Sequence, residues 1–146
     1  FYVLVDYAHT PNGLARLFEF TNKLEVNKKI VVTGNAGERD ASKRKYVGKL
    51  CVDNNDHVIF TYEDPRYEDP YNVVKDLCEL IKDKANYETV IDREEAINKA
   101  INIANKNDLV MILGKGCEDW QEIKGEFIEF SDIEKAKQAI MKRMNH

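Results

Sequence analysis

Cysteine is scarce and oddly counted. Cys51, Cys78 and Cys117 are the three present, with no C-x-x-C spacing. This argues against a disulfide framework and against a zinc site, and it fits a reducing compartment. Histidine pairs at H-x-x-x-H spacing are missing, and so is the G-x-x-x-x-G-K-[ST] pattern of a phosphate-cradling loop, which Gly114-Lys115-Gly116 does not satisfy. There is no excess of positive charge. Twenty-two Lys and Arg against 26 Asp and Glu leave a net charge of -4, which disfavours a broad nucleic-acid surface. No apolar run approaches the ~20 residues a membrane-crossing helix needs, so membrane insertion is not expected. The stretch 1–6 has neither a basic n-region nor a cleavage site and does not read as a signal peptide. It starts without methionine inside an apolar run, so the sequence is expected to be one domain of a longer chain. A serine or cysteine triad lacks support, because nothing supplies a third member to a His9–Cys117 pair.

What is present is ordinary globular material, 43% apolar and 33% charged. A chain of 146 residues can bury roughly two-thirds of its extended surface. Apolar runs of strand length alternate with segments of helical period. Strands are predicted at 2–6, 29–33, 57–61, 89–91 and 109–113. Between them lie helices opened by Thr10-Pro11, by about Ser42, after Pro70 and by Asp92. Segments 121–123 and 126–130, hinged at Lys124-Gly125, predict a hairpin, and Ser131 or Asp132 caps a last helix. Cys51 and Cys78 fall on apolar helical positions and are expected in the core, while Cys117 lies in a glycine-rich turn. His57 opens a strand and is expected to be structural. The alternation predicts an α/β, Rossmann-like domain. It would have a mostly parallel sheet of about six strands, helices on both faces and a C-terminal hairpin strand.

Ligands of open α/β sheets bind beyond the carboxyl ends of the strands. Four polar, turn-rich segments fall there: 6–9, 37–40, 63–66 and 114–118. Arg39 and Arg66 could each grip a carboxylate or phosphate with a planar fork. Glu63, Asp64 and Glu118 would attract an ammonium group. An amino acid carries both kinds of group, so this mixture fits a zwitterion better than a bare phosphate; an internal salt-bridge network is the bland alternative. The basic cluster Arg39, Lys43, Arg44 and Lys45 reads either as a solvated helix start or as an anion site.

Five segments carry a family resemblance over nearly the whole chain. Asp6-Tyr7-Ala8-His9-Thr10-Pro11 resembles the D-Y-A-H-[TNK]-P motif that opens the C-terminal domain of Mur ligases. Gly37-Glu38-Arg39-Asp40 with Lys43-Arg44 resembles their G-[DE]-R-D-x-x-K-R segment. Glu63-Asp64-Pro65-Arg66-Tyr67-Glu68-Asp69-Pro70 is similar to D-N-P-R-x-E-D-P of the MurE type. Asp92-Arg93-Glu94-Glu95-Ala96-Ile97 matches D-R-x-E-A-I, and Gly114-Lys115-Gly116-Cys117-Glu118 resembles G-K-G-H-E.

The resemblance implies a cytoplasmic ATP-dependent ligase of peptidoglycan synthesis. Such an enzyme adds an amino acid, meso-diaminopimelate or a related diamino-diacid, to UDP-N-acetylmuramoyl-L-alanyl-D-glutamate. It implies that residues 1–146 are the amino-acid-binding C-terminal domain. The UDP-binding and central ATP-binding domains lie outside this chain, and ATP and Mg2+ are held mainly by the central one, so the isolated domain is expected to be inactive. By motif match, Arg39, Glu63, Asp64, Arg66, Gly114 and Glu118 would hold the amino acid, and Asp6, with His9 close by, would touch the ATP ribose. A Mur ligase paralogue with another acceptor and a non-catalytic Rossmann-like binding module are the alternatives. Three departures from the family pattern stand out. Glu63-Asp64 replaces Asp-Asn, and the added negative charge is expected to neutralise Arg66 or to shift preference toward another amino acid. Cys117 stands where histidine is usual, and Lys45 where proline is usual.

Overall fold

The computed structural model describes residues 1–37 and 40–145. Five strands, β1 (Tyr2–Asp6), β2 (Lys29–Thr33), β3 (His57–Phe60), β4 (Tyr87–Thr89) and β5 (Leu109–Leu113), form one parallel sheet in the order β1-β5-β2-β3-β4. The sheet is thus one strand narrower than expected. The hairpin, β6 (Trp120–Ile123) and β7 (Glu126–Glu129), pairs with itself as a separate antiparallel sheet. Its turn uses positive φ at both Lys124 (51°) and Gly125 (80°), the backbone twist that suits a two-residue hairpin. β4 lies two residues earlier than the sequence suggests. Its backbone pairs Val58 with Tyr87 and Phe60 with Thr89, an alignment set by the neighbouring strand rather than by the apolar stretch Val90-Ile91.

Helices α1 (Pro11–Thr21), α2 (Arg44–Asn54), α3 (Pro70–Leu77), α4 (Arg93–Ile103) and α5 (Asp132–Met144) cover both faces. The residues that open α1, α4 and α5 are among those the sequence nominates; α3, expected only after Pro70, is opened by Asp69, and α2 begins two residues after Ser42 with no side-chain cap. Thr10, Asp69, Asp92 and Ser131 each accept a backbone N–H from the first turn. A 3-10 turn, Ala41–Lys43, leads into α2.

Alternation along the strands sends side chains to two separate cores. Val31, Val58, Phe60, Met111 and Leu113 pack with Leu14, Phe18, Val47, Cys51 and Leu77 from α1 to α3. Ile30, Val32, Ile59, Val110 and Ile112 pack with Ile97, Ala100 and Ile101 of α4 and with Ala136 and Ala139 of α5. β5 is buried along its whole length, which explains its unbroken apolar sequence. Cys51 is buried as expected, Cys78 is half-buried and Cys117 is exposed. His57 is structural, as expected: its Nε2 lies 2.6 Å from the Glu88 carboxylate of the neighbouring β4.

The chain leaves β1 through α1 on one face and returns through α4 on the other to insert β5 beside β1. This order makes a topological switch, and it brings the loop after β5 between those after β1 and β2.

Candidate functional site

The loops after β2 and β3 lie against each other because two glycines allow it. A Cβ on Gly34 would sit 2.2 Å from the Thr61 carbonyl oxygen, and one on Gly37 would sit 1.9 Å from that of Pro65. With those side chains absent, the Gly37 N–H reaches the Asp64 carbonyl at 2.7 Å. The hairpin closes the other side. Gln121 donates to the Glu63 carbonyl at 2.9 Å. Arg66 donates its N–H to the Glu122 carbonyl (3.0 Å) and accepts from Lys124 (2.7 Å). Arg66 adopts φ 54°, a strained left-handed conformation that these backbone bonds hold in place.

The result is a cavity of about 500 Å³ at the carboxyl end of the sheet, lined by Tyr7, His9, Lys43, Glu63, Asp64, Arg66, Glu118 and Trp120 among others. Five of the residues nominated from sequence (His9, Glu63, Asp64, Arg66 and Glu118) therefore face one space. Gly114 does not line it but abuts it: its φ is 112°, and a Cβ there would lie 2.7 Å from Glu63 Oε2. Asp6 ends β1 outside the cavity wall, with one carboxylate oxygen accepting the Ala8 N–H at 2.9 Å. His9 Nδ1 is 2.8 Å from the Tyr7 carbonyl. Arg39 lies outside the described residues.

Two opposed pairs set the electrostatics. Arg66 Nε donates to Glu122 Oε2 at 3.0 Å, and one terminal nitrogen donates to the Gly37 carbonyl at 2.6 Å. Lys115, fully buried, donates to Asp64 Oδ1 at 2.8 Å and to Glu118 Oε1 at 3.3 Å, and its ammonium stands 5.1 Å from the Trp120 ring centre. This corrects one sequence expectation: Asp64 is matched by Lys115, and the ion-pair partner of Arg66 is Glu122. The salt-bridge network and the two-signed cavity coexist, built from the same loops.

Glu63 is the unusual group. It is 6% exposed, and its Oε2 has no hydrogen-bond partner among the described residues. Burial pushes its carboxyl up to about 7; Arg93, His9 and Lys115 pull it back, and Asp64 pushes it further. Because the folded value exceeds the unfolded one, the native state holds a proton that the unfolded chain has already lost. The stability Glu63 contributes is therefore complete below pH 4.5 and is lost as pH rises toward about 7. We expect Glu63→Gln to remove this decline, on the order of 3 kcal/mol at most. Urea unfolding of both proteins from pH 4 to pH 8 checks it, and parallel pH profiles would refute it.

Neither reading of the basic cluster describes Arg44. Its guanidinium is buried, donating to Glu68 (2.8 Å), Asp76 (3.0 Å) and the Ala36 carbonyl (3.1 Å), which ties α2 to the loop after β2, the loop after β3 and helix α3. Lys43 faces the cavity. Lys115, Trp120 and Glu122 are the site residues that sequence reasoning missed. Lys115 stood in view between two glycines, but its local pattern excluded only a phosphate loop and pointed to no partner.

Comparison with known proteins places these loops in context. A family model described as "Mur ligase, glutamate ligase domain" matches residues 1–116. The UDP-N-acetylmuramoyl-L-alanyl-D-glutamate–2,6-diaminopimelate ligase of Bacillus licheniformis is 43% identical over 141 residues, covering 97% of this chain and 29% of that protein. The ligase of the same name from Prochlorococcus marinus subsp. pastoris is 40% identical over 141 residues, covering 97% and 28%. A solved structure of a UDP-N-acetylmuramoyl-L-alanyl-D-glutamate–2,6-diaminopimelate ligase superposes with a TM-score of 0.92 at 34% identity, over 99% of this chain and 30% of that one. The chain thus spans under a third of the length of these relatives.

Proposed function

The chain belongs to the Mur ligase family, in its glutamate ligase domain, and on that premise we propose that it is the amino-acid-presenting domain of a MurE-type ligase. The full-length enzyme would join meso-diaminopimelate, or a related diamino-diacid, to UDP-N-acetylmuramoyl-L-alanyl-D-glutamate at the expense of ATP. The observation that carries this reading is the cavity itself, where the Arg66 fork and four acidic side chains (Asp40, Glu63, Asp64 and Glu118) from loops far apart in sequence share one space of about 500 Å³.

In this reading Arg66 binds a substrate carboxylate and Glu118 stabilises an ammonium group, with Glu63 and the Lys115-matched Asp64 lining the same substrate space. Arg39 and Gly114 complete the proposed substrate contacts. Asp6 has a carboxylate oxygen beyond the one that accepts the Ala8 N–H, and this is offered to a ribose hydroxyl, with His9 nearby. Among the described residues no group of three or more His, Cys, Asp or Glu side chains could hold a metal ion. In this reading magnesium and the phosphates of ATP would be held mainly by other parts of the full-length enzyme.

The chemistry asked of this chain is positional. In the full-length ligase the glutamate carboxylate would take the terminal phosphoryl group of ATP, releasing ADP, and the amine held by this chain would have to displace the phosphate from that acyl phosphate before water does. Holding the nucleophile in line is worth several kcal/mol of barrier, roughly 7 or more in favourable cases. A domain that carries the amino acid and closes over the acyl phosphate supplies orientation and excludes water together. The test is an amide-forming assay on the full-length protein with ATP, UDP-muramoyl-dipeptide and a panel of amino acids, read by mass spectrometry. A tripeptide product with a diamino-diacid is expected. Absence of amide product with every amino acid would refute the assignment.

A further inference from the structure

We propose that Lys115 is a specificity-determining positioning residue: its buried ammonium neutralises Asp64, so that a substrate carboxylate can approach Arg66 without repulsion from Asp64. The proposal rests on the ligase reading above and extends it to a residue that reading does not use.

Asp64 is 4% exposed and would be a costly bare charge. It is held from the fifth-strand side and from the hairpin. Lys115 donates to its Oδ1 at 2.8 Å, and the Glu122 backbone N–H donates to the same oxygen at 3.2 Å. Lys115 itself is fully buried, flanked by Gly114 at φ 112° and Gly116 at φ 56°. It has no route to solvent and no described carboxylate partner other than Asp64 and Glu118. The guanidinium of Arg66 is directed elsewhere, to Glu122 and the Gly37 carbonyl.

The consequence is electrostatic. With Lys115 in place, position 64 presents a neutral pair to the cavity, and a ligand carboxylate can approach Arg66 without meeting an uncompensated anion. Without the ammonium, Asp64 would repel that carboxylate while still welcoming an ammonium group. Lys115 therefore favours a diamino-diacid over a diamino-monoacid such as lysine.

The experiment uses the full-length enzyme and measures kcat/KM for meso-diaminopimelate and for L-lysine. Lys115→Met is expected to lower the diacid-to-lysine ratio by about tenfold, with the KM values for ATP and UDP-muramoyl-dipeptide unchanged. Lys115→Met/Asp64→Asn is expected to restore the ratio, because asparagine needs no counter-charge. General damage to the site would lower both substrates together, so an unmoved ratio, or one the double variant does not restore, overturns the proposal. Asp64→Asn alone removes one charge and adds no bulk, which keeps the test open if Lys115→Met fails to fold. It should raise the ratio, and an unchanged ratio would count equally against the idea. A wild-type enzyme that makes no amide at all defeats the ligase reading instead.

Discussion

Replacing Arg66 with alanine in the full-length enzyme is expected to raise the KM for the amino acid by about 10- to 100-fold, the worth of a charge-assisted hydrogen-bonded contact. The KM for the UDP-linked acceptor should stay within about twofold. The prediction follows from how Arg66 is held. Its backbone is locked at φ 54° between Glu122 and Lys124, and its head is oriented by the Gly37 carbonyl and the Glu122 carboxylate. Arginine and alanine share the same left-handed backbone strain there, so the substitution tests the fork and not the turn. Arg66→Lys keeps the charge but loses the planar fork, and it should recover only part of the loss. Steady-state kinetics on both variants with each substrate varied in turn would show it. An equal rise for acceptor and amino acid would mean that Arg66 supports the site generally and does not contact the amino acid.

The largest effect on stability is expected at Arg93. Its guanidinium is fully buried and makes two bonds to Asp132, at 2.8 and 2.7 Å, with others to the Leu113 carbonyl at 2.9 Å and the Tyr62 carbonyl at 3.3 Å. Burial works against its charge, but the Asp132 carboxylate, itself fully buried, outweighs that and holds the group above its usual pKa. The pair joins the first turns of α4 and α5 and anchors both to the ends of β3 and β5. Arg93→Met strands the Asp132 charge, at a cost of about 3–5 kcal/mol. Arg93→Met/Asp132→Leu removes both charges and should recover much of that loss, since a buried pair is weakly stabilising against an apolar replacement. Urea unfolding with an unchanged m-value would establish the order wild type, double variant, single variant. A single variant as stable as wild type would show the pair to be dispensable.

Much of the fold and part of the site could be read from the chain alone. The strand and helix sequence follows from apolar period, and three helix starts from Thr10, Asp92 and Ser131, because both signals are local. The convergence of 63–66 with 114–118 followed from one rule about the carboxyl edge of parallel strands, and the cavity between Arg66 and Glu118 agrees with it. β4 was misplaced by two residues because its alignment depends on backbone pairing with β3, a partner in space and not a property of its own residues.

The sequence by itself determined the layered α/β plan, the order of the loops and the types of charge they carry. Only the tertiary structure decided which charge meets which. Lys115 pairs with Asp64 across 51 positions, Arg93 with Asp132 across 39, and Arg44 with Asp76 across 32. Nothing local distinguishes these buried cations from the solvated lysines and arginines around them. A charge can leave water only when a partner arrives from elsewhere in the chain, and that arrival is a product of the packed fold.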